Sequence, residues 1–372
     1  MRLVNATAMP AGYTTGTQPD GRELLVIVVK GTFTIPESPD QEPVLAEEQV
    51  PLVMTDEFTG EPGLSATRNE MDFAPRKPRC DVLLIGSAYA PHAKPTQRVT
   101  VSLRVGALVK SFDVLGNRVW QTRRFGTAAT DPEPFTAMPI SHDNAFGGVD
   151  RSQEDPGKHR WYPTNFAGVG YHEYRDAAFI DGKPLPNTEE TRHPITNPSG
   201  SYKPMAFGPL GRAWHQRVTL AGTYDKKWID NTFPFLPADF NELYYQAAPA
   251  DQQIDYLQGG EEVELVNLTL EGRTKFRIPE LRVPVVFRLR NGDRRETAGA
   301  LDTIVLESDR KRFMLTWRSS LALRRNIHEV MDVTAGRRFE EGEVIPESGG
   351  KRWFSSLEKL AAWTREQGRP RS

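Results

Sequence analysis

Residues 23–35, ELLVIVVKGTFTI, decide the fold class of this chain. β-branched and aromatic residues dominate the run, and the turn-forming pair Asp20-Gly21 precedes it. This composition predicts a strand, and the continuous apolar start at 24–29 predicts that the strand is buried on both of its faces. Since a buried strand needs neighbours in a sheet, the run predicts a β-rich core.

Alternating apolar residues predict further strands on both sides of the middle of the chain. Val99, Val101, Leu103 and Val105 fall on one face of a strand. Asn291-Gly292 is a strong hairpin signal between two strands. The other predicted strands end at Tyr89 or cover 108–114, 214–224, 261–270 (with an irregularity at Asn267), 283–289, 304–307 and 312–317.

The middle of the chain has a different character. Residues 138–170, MPISHDNAFGGVDRSQEDPGKHRWYPTNFAGVG, are rich in Pro, Gly, Asn and aromatic residues and have no sustained period of 2 or 3.6. Such a segment predicts irregular backbone held down by aromatic side chains. The fold class we expect is therefore mainly β, an antiparallel sheet or sandwich with a long irregular Gly/Pro-rich centre and a short C-terminal helix.

The same patterns predict three parts of the chain. Residues 1–125 form an N-terminal antiparallel β region, and residues 126–320 hold the irregular centre and further strands of the same unit. Residues 321–372 form a C-terminal extension with a helix near 356–366, since Ser355-Ser356-Leu357-Glu358 resembles a capping box.

Composition excludes several classes of function. The net charge is −2 with both signs interspersed, which argues against nucleic-acid binding. The single cysteine, Cys80, is expected to be a small buried hydrophobe. The longest strongly apolar run, 24–29, is too short to span a bilayer, and the N-terminus lacks the apolar core of a signal peptide. We expect a cytoplasmic protein without membrane insertion.

A search for catalytic or cofactor chemistry returns little. The seven histidines show no H-x-H or H-E-x-x-H spacing, and no phosphate-binding glycine motif occurs, so no metal or cofactor is predicted. Ser141-His142-Asp143 is interpreted as a polar turn, because consecutive residues rarely converge as a triad and no G-x-S-x-G elbow is present. A hydrolase with a scattered Ser/His/Asp site and a carbohydrate-binding β-protein remain alternatives.

A series of short motifs in order carries a family resemblance over roughly residues 1–320. They include Lys30-Gly31-Thr32-Phe33, Asp72-Phe73-Ala74-Pro75-x-Lys77-Pro78-x-x-Asp81, Ala145-Phe146-Gly147-Gly148, Leu185-Pro186-Asn187, Trp214-x-x-Arg217, Ala221-Gly222-Thr223-Tyr224-Asp225-x-x-Trp228, Pro234-x-x-Pro237-x-Asp239-Phe240 and Ala247-Ala248-Pro249-x-Asp251-Gln252-Gln253. Together they resemble a bacterial family encoded beside the spike genes of type VI secretion systems. The run Asn165–Gly170 departs from that family's "N-P-x-G-x-G" pattern.

The resemblance implies a non-enzymatic adaptor or chaperone that needs no cofactor. Its partner would be a type VI secretion effector with a PAAR-like region, and possibly the spike protein itself. Aromatic and Arg side chains in an irregular region suit a recognition surface, although large aromatic residues are mostly buried. The candidate partner contacts are Phe146, Trp161, Tyr162 and Arg217, and the candidate backbone-shaping residues are Gly147, Gly148, Asn165, Gly168, Gly170, Pro186 and Asn187.

Overall fold

The structure is a computed structural model that describes residues 1–336 except 19 and 125, together with the backbone of 345–346 and 352–353. The strands are β1 (Arg2–Asn5), β2 (Ala11–Thr17), β3 (Glu23–Thr34), β4 (Glu57–Phe58), β5 (Thr67–Asn69), β6 (Cys80–Tyr89), β7 (Arg98–Val105), β8 (Leu108–Leu115), β9 (Trp120–Arg123), β10 (Gly126–Ala129), β11 (Ala137–Ile140), β12 (Phe146–Gly147), β13 (Val149–Asp150), β14 (Arg160–Trp161), β15 (Val169–Gly170), β16 (Thr188–Glu189), β17 (Gln253–Ile254), β18 (Glu262–Val266), β19 (Arg273–Arg277), β20 (Pro284–Leu289), β21 (Arg294–Ala298), β22 (Ala300–Glu307), β23 (Arg312–Ala322), β24 (Val330–Ala335), β25 (Ile345–Pro346) and β26 (Arg352–Trp353).

Helices are short. The α-helices are α1 (Ala177–Ile180), α2 (His215–Val218) and α3 (Lys226–Asn231). Single 3-10 turns occur at Pro91–Ala93, His142–Asn144, Pro156–Lys158, Glu242–Tyr245, Ala250–Gln252, Ser308–Arg310 and Ile327–Glu329. Within the described part of the chain, no helix has the length and apolar character needed to cross a membrane.

Three sheets build the core. The largest has seven strands in the order β11-β6-β22-β23-β3-β2, with β17 also paired to β6. A five-stranded sheet runs β16-β8-β7-β18-β19, and a four-stranded sheet runs β1-β24-β20-β21. Most pairs are antiparallel, whereas β6 and β22 pair in parallel, as do β1 and β24.

One hydrophobic cluster joins these sheets and defines a sandwich. The inner face of β3 contributes Leu25 and Ile27 to it, β7 contributes Val101, and β20 contributes Phe287. The opposite face of β3 is also buried, beneath residues 52 and 73 of a covering loop. The long run of β-branched residues in β3 is thus buried on both sides, as its sequence predicts.

Local sequence patterns predicted these elements well. β7 alternates buried and exposed side chains along its whole length. The expected hairpins form as β20–β21 and β22–β23. β18 ends at Val266, and the next residue, Asn267, has a φ of 55°. The prediction of a mainly β, sandwich-type fold with an irregular centre is confirmed.

Other expectations need correction. The strand expected over 214–224 is replaced by α2 and the turns that follow it. Residues 1–125 do not make a sheet of their own, because β6 and β3 pair with β22 and β23 from the far end of the chain. The expected boundary at 320 falls inside β23, and β24 beyond it pairs with β20. The helix near 356–366 lies outside the described residues.

Candidate protein-binding site

Two of the predicted partner contacts, Phe146 and Tyr162, lie in the interior of the irregular centre. The Phe146 ring is fully buried, and its centroid lies 4.9 Å from that of Tyr162 and 4.9 Å from that of Tyr202, both in edge-to-face contacts. The Tyr162 hydroxyl donates to the Tyr202 carbonyl oxygen at 2.6 Å. These rings are core residues, which corrects the expectation that they contact a partner.

The third candidate, Arg217, is also buried. Its Nη2 lies 2.6 Å from Glu70 Oε1, its Nη1 donates to Leu210 O at 2.9 Å, and its Nε donates to Tyr244 O at 3.0 Å. Because Arg217 is buried and its three nitrogens each bond inside the protein, it is a structural ion-pair partner and is not accessible to a binding partner. Of the four candidates only Trp161, which is 50% exposed, lies on the surface.

The predicted backbone-shaping residues converge on one close crossing of two chain segments. Gly147 and Gly148 have φ angles of 153° and 102°. A Cβ atom on Gly147 would lie 2.0 Å from Asn165 O, and one on Gly148 would lie 2.5 Å from Gly168 O. The buried Asn165 side chain donates to Phe146 O at 3.1 Å and so closes the crossing. Glycine is required at both positions because any side chain would displace the neighbouring backbone.

The rest of this group ties the crossing to the sandwich. Gly170 has a φ of 93°, and a Cβ atom on it would lie 2.7 Å from Pro186 Cδ. The Asn187 backbone N–H donates to Asn144 O at 2.9 Å, and its side-chain amide donates to Leu115 O at 3.2 Å. Leu115 is the last residue of β8, so the crossing is anchored directly to the five-stranded sheet.

The Ser141-His142-Asp143 run does not form a triad. His142 is buried with its Nε2 3.0 Å from Gly208 O, and burial lowers the pKa of this imidazole to about 4. Asp143 accepts the Ala66 backbone N–H at 2.8 Å. The Ser141 hydroxyl contacts Asp143 at 3.3 Å without the histidine between them. The three side chains therefore serve separate parts of the fold.

A buried charge cluster lies at the start of β6 in the seven-stranded sheet. Its members are Glu70, Lys77, Asp81 and Arg217, all buried or nearly so. Lys77 Nζ lies 2.7 Å from Asp81 Oδ2 and 3.3 Å from Glu70 Oε2. Burial opposes the charged ammonium, but Coulombic attraction to Asp81 and Glu70 outweighs it and raises the pKa of Lys77 to about 12. The ammonium therefore stays charged.

The same cluster holds a loop in place. Asp81 accepts hydrogen bonds from Gln246 Nε2 at 2.7 Å, from Ala247 N at 2.8 Å and from Ala248 N at 3.1 Å. A single carboxylate thus satisfies both a buried ammonium and a buried stretch of irregular backbone. Among the residues that the structure describes, no three His, Cys, Asp or Glu side chains are grouped so that they could hold a metal ion.

A surface of a different kind surrounds α3, and we call it the aromatic surface. Its members are large apolar side chains close together in the chain, and most of them are strongly exposed: Phe233 by 68%, Ile229 by 59%, Tyr224 by 51% and Phe235 by 45%, with Trp228 partly buried among them. Single exposed apolar residues are normal, whereas a group of them close together is a candidate interaction site.

Hydrogen bonds hold this surface in one shape. Asp225 caps α3 by accepting Trp228 N at 2.8 Å, and the Trp228 indole donates to Phe235 O at 2.9 Å. Asp239 accepts both the backbone N–H and the hydroxyl of Thr223, at 3.0 and 2.7 Å. A preformed aromatic surface loses little conformational entropy when it binds, which favours affinity.

A cavity of about 510 Å³ lies beside the aromatic surface, at the end of β2. Its lining is mixed, with apolar, polar and charged side chains. Its lining residues are Thr17, Gln18, Asp20, Leu24, Pro75, Arg76, Leu236, Phe240, Glu242, Tyr245 and Ser320. The cavity and the aromatic surface are built from neighbouring parts of the chain, because the lining residue Leu236 directly follows Phe235.

Sequence reasoning missed this surface because it placed the partner contacts at Phe146, Trp161, Tyr162 and Arg217. The relevant signal was in the chain: between Tyr224 and Phe235, large apolar residues alternate irregularly with Asp, Lys and Pro and follow no strand or helix period. Without a period there is no buried face to receive them. Exposure of these side chains was therefore a reasonable inference from the sequence.

The fold and the site together define a class: a β-sandwich protein with a large irregular insertion and a preformed, exposed aromatic surface. The chain belongs to a family described as an uncharacterised protein conserved in bacteria, DUF2169, whose family model matches residues 20–318. Comparison with curated proteins and with solved structures gave no match. The matched range contains the buried charge cluster, the glycine crossing and the aromatic surface.

Proposed function

We propose that this protein is a non-enzymatic, cytoplasmic adaptor or chaperone that binds a type VI secretion effector through its PAAR-like region and assists its loading onto the spike. The observation that carries this proposal is the aromatic surface around α3. Tyr, Trp and Phe side chains are the residues that contribute most to binding at protein interfaces, and here they are exposed and preformed.

The motifs behind the family resemblance support the same site. Tyr224, Asp225 and Trp228 belong to one of them, and Asp239 and Phe240 belong to another. In the structure the acidic members cap and brace the segment, while the aromatic members form its surface or line the cavity. The other motifs quoted above lie in the buried charge cluster and the glycine crossing, where they support the fold.

The test is co-expression with the PAAR-type effector encoded beside this chain. We expect a higher soluble yield of the effector and a stoichiometric complex on size-exclusion chromatography, formed without an added cofactor. The double substitution Ile229→Ser, Phe233→Ser should weaken calorimetric affinity for the effector's isolated PAAR-like segment by at least about tenfold, since each anchor contributes on the order of 1 kcal/mol or more.

Leu270→Ser is the matched control. Leu270 is an equally exposed apolar residue, 72% accessible, but it lies after β18 on a different part of the surface. This variant should bind the segment as the wild-type protein does. If neither the effector nor its PAAR-like segment binds the wild-type protein, the adaptor proposal fails. If the double variant binds normally, the aromatic surface is not the site.

A further inference from the structure

We infer that the partner is bound by strand addition: an extended, uncharged segment of the partner pairs with the free edge of β2 and places a large apolar side chain in the cavity at the end of that strand. This inference rests on the proposed function and names how the partner is recognised. It is carried by the hydrogen-bonding pattern of β2, by the sequences of the other sheet edges and by the position of the cavity.

β2 is an end strand of the seven-stranded sheet, and among the described residues it pairs only with β3. Lys30 N donates to Pro10 O and Gln18 N donates to Arg22 O. Because hydrogen-bonded pairs alternate along an antiparallel ladder, the even-numbered residues of β2 face β3. The N–H and C=O groups of the odd-numbered residues point outward; these residues are Ala11, Tyr13, Thr15 and Thr17.

These outward groups are open to a new strand. Within the part of the chain that the structure describes, the one hydrogen bond to them comes from the Thr14 hydroxyl, which contacts Thr15 O at the long distance of 3.4 Å. A row of unpaired N–H and C=O groups along a regular strand is a template for pairing with another segment.

The sequence of β2 lacks the features that normally protect an edge. It reads AGYTTGT, with no charge and no proline, and its register with β3 is unbroken over all 7 residues. The other edge strands of the three large sheets are protected in the usual ways. β1 has 4 residues and begins with Arg2. β21 carries Arg294, Arg295 and Glu296, β19 carries three cations, β11 contains Pro139, and β16 and β17 have 2 residues each.

A covering loop packs against one face of β2, beside its open edge, and forms a wall there. A Cβ atom on Gly12 would lie 2.8 Å from the Leu52 side chain, and one on Gly16 would lie 2.9 Å from Pro75. The glycines thus allow the covering loop to lie close against β2. Pro75 also lines the cavity, so the wall continues from β2 into it.

The cavity decides the direction and chemistry of the added segment. Thr17 and Gln18 at the end of β2 line the cavity, together with the apolar side chains of Leu236, Phe240 and Tyr245. A segment paired with β2 would run past Thr17 into this cavity and on to the aromatic surface. A partner segment that fits has few charges along the pairing residues and a large apolar residue where it reaches the cavity.

A second copy of this chain is a weaker fit than a partner segment. Pairing β2 with β2 would bring together six small or threonine residues and one tyrosine from each copy and would leave the cavity and the aromatic surface uncovered. A stable dimer usually buries about 1,200 Å² or more of total surface. One polar strand pair provides much less, whereas a partner segment can contact all three features.

The first test is amide hydrogen exchange on the unaltered full-length protein, with and without the isolated PAAR-like segment. We expect the backbone amides of residues 11–17 to exchange rapidly at the outward positions in the free protein. Their exchange should slow at least about tenfold in the complex. Slow exchange in the free protein at every concentration would mean that the chain itself already covers this edge. Slow exchange that appears only at high protein concentration would mean that a second copy of the chain covers it. Either result overturns the inference.

The second test is Thr15→Pro. Proline removes one outward N–H and, on an edge strand, leaves the ladder to β3 intact. We expect calorimetric affinity for the segment to fall at least about tenfold while the melting temperature stays close to that of the wild type. If Thr15→Pro impairs folding, the exchange measurement still decides. Normal binding by a folded Thr15→Pro variant, or unprotected β2 amides in a formed complex, overturns strand addition but leaves the adaptor function standing. If the wild-type protein binds no segment at all, both fail.

Discussion

The sandwich and the irregular centre both have buried interiors, but different interactions stabilise them. In the sandwich, backbone groups pair along ladders such as β3–β23, and side chains such as Leu25, Val101 and Phe287 contribute only apolar area. In the centre, ladders are two residues long, and side chains such as Asn165 satisfy buried backbone groups. Asp81 does the same for the irregular loop at Ala247 and Ala248, which packs against the start of β6.

The difference shows what irregular backbone requires in order to be buried. Each unpaired N–H or C=O in the interior costs free energy, and a sheet removes that cost by its own repeating geometry. Loops have no such repeating geometry. In a buried loop, individual carboxylates and amides must therefore pair with the backbone N–H and C=O groups, and glycines must allow close backbone contacts. We therefore expect the sandwich to tolerate conservative substitutions and the centre to depend on single atoms.

Removal of the Asp81 carboxylate should have the largest effect. Asp81→Ala leaves buried Lys77 with one fewer anion and leaves the N–H groups of Ala247 and Ala248 without an acceptor. We expect a loss of about 4 kcal/mol in the free energy of unfolding, because breaking a buried pair strands its partner's charge. Urea unfolding at neutral pH measures this loss.

The sandwich provides the control for that measurement. Ile27→Val removes one methylene group from a fully buried side chain on β3 and should cost about 1 kcal/mol. If Asp81→Ala and Ile27→Val lose the same free energy of unfolding, support of irregular backbone by a carboxylate is worth no more than one methylene group of apolar packing, and the comparison fails.

Gly147→Val should have the next largest effect. A Cβ atom at Gly147 would meet Asn165 O at 2.0 Å, and valine disfavours its positive φ. We expect a loss of about 3 kcal/mol from backbone strain and displacement of the crossing, measured by urea unfolding or calorimetry.

Gly182→Ala separates the effect of backbone strain from that of the steric clash, because Gly182 has a φ of 75° but no atom within 4 Å of the position of an added Cβ. That variant should lose only about 1 kcal/mol. Unchanged melting of Gly147→Val would show that the crossing can relax.

The smallest of the three effects depends on pH and comes from His142. Burial lowers the pKa of this histidine from 6.5 to about 4, so the unfolded chain takes up a proton at a higher pH than the folded chain does. The stabilisation is complete above pH 6.5 and is lost as the pH falls towards 4, by roughly 2–3 kcal/mol in total. Urea unfolding between pH 7 and 4.5 follows it.

Other groups titrate over the same interval, so the measurement compares two proteins. His142→Gln keeps a donor for Gly208 O but has no titrating ring. The wild-type protein should lose more stability than this variant as the pH falls. If the free energy of unfolding falls equally with pH in both proteins, protonation of His142 does not destabilise the folded state.

Local pattern predicted much of this structure because alternation, hairpin turns and positive-φ glycines are properties of neighbouring residues. Val99 to Val105 show their alternation in β7, Asn291-Gly292 turns between β20 and β21, and Gly147 and Gly148 take the conformations expected of paired glycines. Such features are decided within a few residues of chain, so they can be read from the sequence.

The pairing of distant segments could not be read in the same way. β6 lies parallel to β22, and β1 lies parallel to β24, across nearly the whole length of the chain. Periodicity predicts that a strand exists, but it does not predict which strand pairs with it. The expected division at residue 125 failed for this reason, since the strands of the first part find their partners in the last.

The sequence alone thus establishes a mainly β protein of a bacterial family with an irregular centre shaped by glycines. Only the tertiary structure decides which of its polar and aromatic side chains are available to a partner. Arg217 is buried because Glu70, far away in the chain, lies opposite it, and Phe233 is exposed because no sheet face covers it. Burial is a property of what surrounds a residue, and those surroundings come from segments that the chain brings together only when it folds.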